Sequence, residues 1–257
     1  MVNIAYRDRT FNLDGVEGDH MLDLLQSTGT FYEIDLLAYM ETLDLPDGVV
    51  VDVGANIGNH AIFMASFLDR PVKAFEPYPV ILPILKRNLE ANPLDVTLFE
   101  VGLGAKPSRG ALVAEAGNIG AAHIVEGDDV EIDTLDRFNL DVALMKVDVE
   151  GMELEVLQGA VETLKRCRPH LFLECGTRKH FHVLRAFLEP LGYKPVVRWA
   201  FTPVWHFAPQ ASFKTVLHAR LLRASRVLDT PAIKLLDGPS QQNERLQRFV
   251  RRPMLGD

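Results

Sequence analysis

Residues 49–58 read Val-Val-Val-Asp-Val-Gly-Ala-Asn-Ile-Gly. The β-branched apolar run is typical of a strand buried in a parallel sheet, and an acidic residue lies near its end. A loop of small residues follows, and a helical pattern begins after Gly58. Glycines in such a loop let a ligand approach the backbone, and the start of the helix offers free N–H groups. The stretch therefore predicts a site for a nucleotide-like ligand at the carboxyl edge of a sheet.

Strand and helix patterns alternate along most of the chain. Strand patterns cover residues 49–53, 72–76, 96–101, 142–147 and 170–175, and helix patterns cover 58–69, 79–91, 151–166 and 178–190. This order predicts an α/β fold with a mostly parallel sheet and helices on both faces. Residues 102–137 interrupt the rhythm and predict a hairpin and loops at the carboxyl edge. Two short strand patterns, 193–197 and 203–207, predict an antiparallel pair that ends the sheet.

The two ends of the chain differ from this middle part, so three parts are expected: 1–45, 46–209 and 210–257. The first predicts a short hairpin, with Asp14-Gly15 as a turn signal, and a helix over 31–43. The last is a helical extension interrupted by prolines.

Composition indicates an ordinary globular protein, because 47% of the 257 residues are hydrophobic and 24% are charged. The two cysteines, Cys167 and Cys175, have no disulfide-framework spacing, and Cys175 closes an apolar run, which predicts a buried thiol. Free thiols favour a reducing compartment, so the expectation is a cytoplasmic protein. Neither a secretory signal pattern nor an 18-residue apolar run occurs, so no transmembrane segment is expected.

The net charge of −8 argues against a nucleic-acid partner. The charge is uneven, since residues 210–257 contain nine Lys or Arg and four acidic residues. This extension either packs on the acidic remainder of the chain with its charged side chains in solvent, or it contacts an anionic partner or surface.

The sequence of the first loop argues against two classes of nucleotide ligand. A phosphate-binding P-loop needs Gly-Lys-Ser/Thr, whereas Gly58 is followed by Asn59-His60, and the third glycine of a dinucleotide fingerprint is missing. Asp52 would repel a pyrophosphate but suits a ligand with an amino group and a positive charge, such as S-adenosylmethionine. Glu76, at the end of the second strand, can accept ribose hydroxyls. The alternatives are a helix cap for Asp52 and a surface acid for Glu76; His60 is expected to line or support the loop.

A second set of candidates predicts the acceptor side. Asp148 and Glu150 end the fourth strand, and Glu174 ends the fifth, at the edge where such sheets place their sites. They could be bases, ligands of one divalent metal ion, or a cap and an anchor. His180 or His182, at the next helix start, could be a general base. The residues leave metal-assisted and metal-free activation open.

Five separated motifs resemble the FkbM family of S-adenosylmethionine-dependent methyltransferases. They are Asp-Val-Gly-Ala-Asn-Ile-Gly at 52–58, Phe-Glu-Pro at 75–77, Thr-Leu-Asp at 134–136, Lys-Val-Asp-Val-Glu-Gly-Met-Glu at 146–153 and Val-Leu-Gln-Gly-Ala at 156–160. The resemblance runs from about residue 31 to 176, and the fourth motif is the most distinctive. It implies a Rossmann-like class I methyltransferase fold with a seven-stranded sheet, and O-methylation of a hydroxyl, often on a sugar or a polyketide.

The resemblance also implies residue roles. The loop from Asp52 to Gly58 would hold the methionine part, Glu76 the ribose, and a loop at Gly102-Leu103 would lie over the adenine. The segment Phe-Tyr-Glu at 31–33 would close over the cofactor, so residues 1–45 would cover the cofactor site. The expected cofactor contacts are thus Glu33, Asp52, Gly54, Asn56, Gly58, His60, Glu76, Pro77, Gly102, Leu103 and Asp148.

Two other readings compete with a methyltransferase. One is a non-catalytic module that binds S-adenosylmethionine; the intact acid-glycine loop argues against it. The other is an NAD-dependent oxidoreductase, which the missing glycine disfavours. The acceptor remains open among a sugar, a lipid-linked glycan, a polyketide and a peptide, because acceptor pockets are built from variable loops.

Overall fold

The computed structural model describes residues 1–16, 20–115, 118–200, 203–209, 211 and 213–229. The chain divides into two compact units, Met1–Ser212 and Phe213–Asp257. In the second unit the described residues form helix α8, Phe213–Asp229, so most of the predicted basic extension lies outside the described residues. Within the described part of the chain, no helix combines the length and the apolar character that a membrane crossing requires.

The first unit contains twelve strands and seven α-helices among its described residues. The strands are β1 Val2–Tyr6, β2 Arg9–Leu13, β3 Val49–Val53, β4 Val72–Phe75, β5 Val96–Phe99, β6 Gly102–Leu103, β7 Ser108–Glu115, β8 Asn118–Asp133, β9 Val142–Val147, β10 His170–Glu174, β11 Tyr193–Trp199 and β12 Val204–Pro209. The helices are α1 His20–Thr28, α2 Ile34–Met40, α3 Asn59–Phe67, α4 Leu82–Ala91, α5 Glu153–Gln158, α6 Val161–Cys167 and α7 Arg178–Leu188.

The central sheet has seven strands in the order β11-β12-β10-β9-β3-β4-β5. Strands β10, β9, β3, β4 and β5 are parallel to one another, and β12 runs antiparallel to both of its neighbours. The predicted Rossmann-like fold and the antiparallel final pair are confirmed. Because β4, β3, β9 and β10 are adjacent and parallel, their carboxyl ends, where the predicted site residues lie, meet at one edge of the sheet.

The strand register places charged groups inside the sheet layer. Asp52 on β3 pairs with Lys146 on β9, and Lys146 pairs in turn with Phe172 on β10. Side chains of aligned neighbours in adjacent strands point to the same face. The positions that flank Asp52 on β3 and Lys146 on β9 are apolar and buried, so Asp52 and Lys146 face each other with little access to water.

Three local predictions needed correction. The N-terminal hairpin turns at Arg7-Asp8, where Arg7 adopts a left-handed conformation, and not at Asp14-Gly15. The helix expected over 151–166 is split into α5 and α6 at Gly159-Ala160. Gly159 packs so closely on Gly104 that a Cβ would lie 2.0 Å from the Gly104 carbonyl oxygen, so only glycine fits there. The expected loop at Gly102-Leu103 is the short strand β6, paired with Ile132 and Asp133 of β8.

Helix α2 is held on the sheet by a buried polar chain. The Tyr39 hydroxyl lies 2.8 Å from His206 Nδ1, and His206 Nε2 lies 2.9 Å from His170 Nδ1. Tyr39 also stacks on Trp199. Since buried polar atoms are stable only when paired, this chain fixes α2 relative to β10 and β12.

The buried imidazole predicts a pH dependence of stability. Burial, followed by the neighbouring His170, holds the pKa of His206 well below its usual value. The unfolded chain therefore takes up this proton first, and stability falls as the pH drops below about 6.5, by up to about 1.4 kcal/mol per pH unit from this group. We expect His206→Gln to flatten the dependence of urea-unfolding free energy on pH between about 5 and 6.5. The same change at the exposed His218 should leave the dependence as it is, and an equally steep curve for His206→Gln would contradict the assignment.

Candidate functional site

The loop between β3 and α3 is built from residues in left-handed conformations. Gly54, Asn56 and Gly58 have φ angles of 79°, 49° and 90°. The Gly54 N–H donates to the Phe75 carbonyl, and a Cβ at Gly54 would lie 1.9 Å from the carbonyl oxygen of Asp148. The glycine thus permits close contact between the loops after β3 and β9, which brings the predicted cofactor and acceptor residues together.

Asp52 is the most unusual polar group of the site. Its side chain is completely buried, and neither carboxylate oxygen has a hydrogen-bond partner among the described residues. The nearest cation is Lys146, whose Nζ lies 3.7 Å from Asp52 Oδ1. Burial outweighs this cation and raises the pKa of Asp52. A buried carboxylate without hydrogen bonds is costly, so this position is suited to a bound donor or cation.

Glu76 follows β4 and supports the same loop. One carboxylate oxygen accepts from the Asn56 N–H and the other from the Tyr78 N–H, both at 2.8 Å. Burial raises the pKa of Glu76, although these two bonds oppose the effect. Each carboxylate oxygen has two acceptor sites, so Glu76 retains one on each oxygen for a further hydrogen-bond donor. The half-buried Pro77 lies between Glu76 and Tyr78.

Lys146 begins the motif at 146–153, but the sequence analysis did not predict its role as a buried cation. Its side chain is 1% exposed, and its Nζ donates to Asp148 Oδ2 at 3.1 Å while facing Asp52. Burial lowers the pKa of Lys146, but Asp148 and Asp52 outweigh that effect and raise it. The signal was available in sequence, because a lysine inside an otherwise apolar strand must find an anion.

The acceptor-side acids do come together. One oxygen each from Asp148, Glu150 and Glu174 lies within 4.8 Å of the others, a spacing that could also hold a metal ion. Burial and the negative charge of Asp148 raise the pKa of Glu174 to about 10. Burial alone would raise the pKa of Asp148, but the Lys146 ammonium holds this pKa below its usual value. Near neutral pH the pair is therefore an ionised Asp148 beside a protonated Glu174.

Glu150 differs from the other two acids. It is exposed and has a left-handed φ of 53°, a conformation that costs about 1–3 kcal/mol for a non-glycine residue. Desolvation by the neighbouring residues, followed by the charge of Asp148, raises the pKa of the Glu150 carboxyl group to about 7. Such strain at the end of a strand is common at functional sites.

The segment before α2 is docked on the start of α3. Glu33 Oε2 lies 3.2 Å from His60 Nε2, and both side chains are nearly buried. The Asn59 amide accepts from the Tyr32 N–H and donates to the Tyr32 carbonyl. The structure thus places Glu33 and His60 together beside the loop, and adds Asn59, which the sequence analysis missed.

Asn88 is a second missed support. It is fully buried on α4, and its amide group donates to the carbonyls of Ile57 and Asp14 and accepts from the Asp14 N–H. The N-terminal segment is thereby tied to the back of the cofactor loop. No local sequence pattern indicates this role, because the partners of Asn88 are backbone groups distant in sequence.

Two histidines were predicted as candidate bases. His180 lies 3.2 Å from the buried Glu153, whereas His182 is exposed and does not belong to this pair.

The predicted adenine contact lies on strand β6. Leu103 is 3% exposed and belongs to the apolar core, so any contact of this segment with a ligand would involve the backbone or the edge of β6. Its placement over the adenine stays a prediction. Cys175 is a buried free thiol, as expected.

The seven-stranded, mainly parallel sheet and its acid-glycine loop form a Rossmann-like fold, the fold predicted for a class I methyltransferase. A family model described as the methyltransferase FkbM domain matches residues 52–195. The match covers more than half of the chain, and the chain belongs to the FkbM methyltransferase family.

Several known proteins are similar to this chain. Methyltransferase 1 of Beauveria bassiana is 28% identical over 190 residues, which cover 60% of this chain and 76% of that protein. Hexuronic acid methyltransferase AglP of Haloferax volcanii is 34% identical over 133 residues, covering 46% and 52%. The chain therefore spans about half the length of this second relative. A crystal structure of methyltransferase FkbM from Methylobacillus flagellatus KT has a TM-score of 0.48 and 17% identity, with 63% of this chain and 43% of that chain covered.

The contact between the two loops can be tested at Gly54. Gly54→Ala places a Cβ against the Asp148 carbonyl at a left-handed φ, so we expect a loss of at least about 2 kcal/mol in urea-unfolding free energy. Gly176→Ala is the matched control, since a Cβ there meets nothing within 4 Å. Equal stability of the two variants would contradict the proposed loop contact.

Proposed function

We propose that this methyltransferase-family protein transfers a methyl group from S-adenosylmethionine to a hydroxyl oxygen on a sugar, a glycan or another secondary metabolite. The observation that carries the proposal is the buried Asp52 carboxylate, whose two oxygens lack hydrogen-bond partners among the described residues. It lies on β3 just before the glycine loop and shares the Lys146 ammonium with the candidate base Asp148.

The residues present fit this cofactor. Asp52 offers a buried anion for an ammonium group, and Glu76 keeps acceptor positions for ribose hydroxyls. The left-handed loop of Gly54, Asn56 and Gly58 exposes backbone groups at the start of α3. When bound, S-adenosylmethionine supplies an electrophilic methyl group on a cationic sulfur.

Asp148 is the best-placed group to accept the proton of the attacking hydroxyl. Lys146 keeps it ionised, and the protonated Glu174 donates a hydrogen bond to it. Its carboxylate retains acceptor positions for a further hydroxyl. A neutral hydroxyl is a weak nucleophile, so removal of its proton during attack accelerates transfer. The protein also aligns the acceptor oxygen with the methyl group, which supplies much of the acceleration.

The acceptor class is supported by one relative. The hexuronic acid methyltransferase of Haloferax volcanii is 34% identical over the matched region, and its name assigns it a sugar acid. A sugar-type acceptor for this chain is an inference from that likeness. The acidic side chains on the acceptor side, Asp148, Glu150 and Glu174, can bind several sugar hydroxyls through hydrogen bonds.

Cofactor binding can be measured directly by isothermal titration with S-adenosylmethionine. Asp52→Asn removes the buried anion and should raise the dissociation constant by at least about 30-fold, because a lost partner in a buried charge pair costs about 2 kcal/mol or more. Glu76→Ala should also weaken binding, whereas Glu90→Gln, on the exposed side of α4, should not. No binding by the wild-type protein at millimolar ligand would refute the proposed function.

The base assignment predicts opposite behaviour for two neighbouring acids. Asp148→Asn should lower kcat by at least about 100-fold, the usual contribution of a general base. Glu174→Gln keeps a neutral donor and should stay within about tenfold of wild type. Methyl transfer from labelled S-adenosylmethionine to a panel of hexuronic acids and neutral sugar glycosides gives the measurement.

The same assay separates base from metal catalysis. We expect activity to survive exhaustive chelation. Activity that is lost on chelation and restored by Mg²⁺ would instead make Asp148, Glu150 and Glu174 metal ligands, and Glu174→Gln would then be inactive.

A further inference from the structure

The loop after β9 contains two successive residues in left-handed conformations, Glu150 and Gly151, with φ angles of 53° and 101°. A Cβ at Gly151 meets nothing within 4 Å, so packing around this glycine does not force the conformation. Asp148 and Glu150, both on the acceptor side, are positioned by this loop. Another group must therefore hold it.

That group is Glu153, on the first turn of α5. Its side chain is completely buried, and its Oε1 accepts hydrogen bonds from the Val149 N–H at 3.1 Å and the Gly151 N–H at 3.3 Å. These two peptide groups flank Glu150. A single carboxylate oxygen thus fixes the backbone on both sides of the strained residue.

The second oxygen of Glu153 faces another loop. Oε2 lies 3.2 Å from His180 Nε2, and neither atom has a hydrogen-bond partner of good geometry among the described residues. His180 is on the first turn of α7, where its N–H donates to the Thr177 hydroxyl that caps the helix. Glu153 therefore contacts both segments that follow β9 and β10, the strands that end in Asp148 and Glu174.

We propose that Glu153 is a positioning residue, which sets the acceptor-side geometry by holding the Val149–Gly151 loop with one oxygen and orienting the His180 imidazole with the other. This inference rests on the proposed methyl transfer for its catalytic consequence. The carboxylate keeps the imidazole proton on Nε2 and leaves Nδ1 as an acceptor. The hydrogen bonds of Glu153 among the described residues go to the loop after β9 and not to the loop after β3, so its main effect is expected on kcat.

The substitution Glu153→Gln tests the contact with the Val149–Gly151 loop separately from the contact with His180. The amide oxygen can still accept from Val149 and Gly151, so the amide nitrogen must face His180 and donate to Nε2. In the neutral form of the imidazole, the proton then lies on Nδ1. Long-range ¹H–¹⁵N NMR of the full chain, with His180→Asn to assign the signal, reports this tautomer without any acceptor.

We expect the Nε2–H form of His180 in wild type and the Nδ1–H form in Glu153→Gln. Glu155→Gln, on the same helix, is the matched control and should retain the wild-type signal. An unchanged His180 tautomer in Glu153→Gln would overturn the orienting role.

The catalytic readout uses the acceptor panel described above. Glu153→Ala loses both connections and should lower kcat by about 100-fold, as expected for a displacement of about 1 Å at the reacting groups. Glu153→Gln should retain more activity than Glu153→Ala, and the dissociation constant for S-adenosylmethionine should stay within about threefold in both. Equal kcat values for wild type and Glu153→Ala would overturn the positioning role. Failure of wild type to bind S-adenosylmethionine would refute the proposed function alone, because the tautomer measurement needs no cofactor.

Discussion

The site depends on one buried cation shared by two carboxylates. Lys146 donates to Asp148 and faces Asp52 across adjacent strands, with almost no exposure to water. An unpaired charge in this layer would be strongly destabilising. The parallel register of β3 and β9 is therefore coupled to the charge arrangement: a shift by one residue would send Asp52 and Lys146 to opposite faces of the sheet.

This arrangement also gives the two carboxylates different properties. Asp148 has the hydrogen bond to Lys146 and is held ionised, whereas Asp52 has only the more distant contact and keeps a raised pKa. A cation that binds at Asp52 completes the charge balance of this layer. The donor and acceptor halves of the proposed reaction are thus joined by the same lysine, 3.7 Å from one carboxylate and 3.1 Å from the other.

Much of the fold was predictable because its signals are local. The strands at 49–53 and 142–147 were predicted with the bounds found, since apolar β-branched runs between turn residues have few alternatives. The break at Gly159 and the strand β6 were not predicted, because the residues there contact partners distant in sequence. The turn at Arg7-Asp8 is local, and it was missed because an arginine adopts the left-handed conformation there, while the glycine signal lies at Asp14-Gly15. Within the site, the acids at strand ends were found from their positions, but three supporting residues were missed. Asn59 and Asn88 bind backbone groups distant in sequence, and Glu153 binds backbone N–H groups of the loop just before it, whose conformation the sequence does not reveal.

The sequence by itself determined the fold class, the cofactor loop and the set of acids at the carboxyl edge, because strand periodicity, glycine placement and strand-end residues are written along the chain. Only the tertiary structure decided which acid is ionised and which is protonated. That distinction comes from distances between strands: Lys146 reaches Asp148, while Glu174 lies beside an existing negative charge without a cation of its own among the neighbours that shift its pKa.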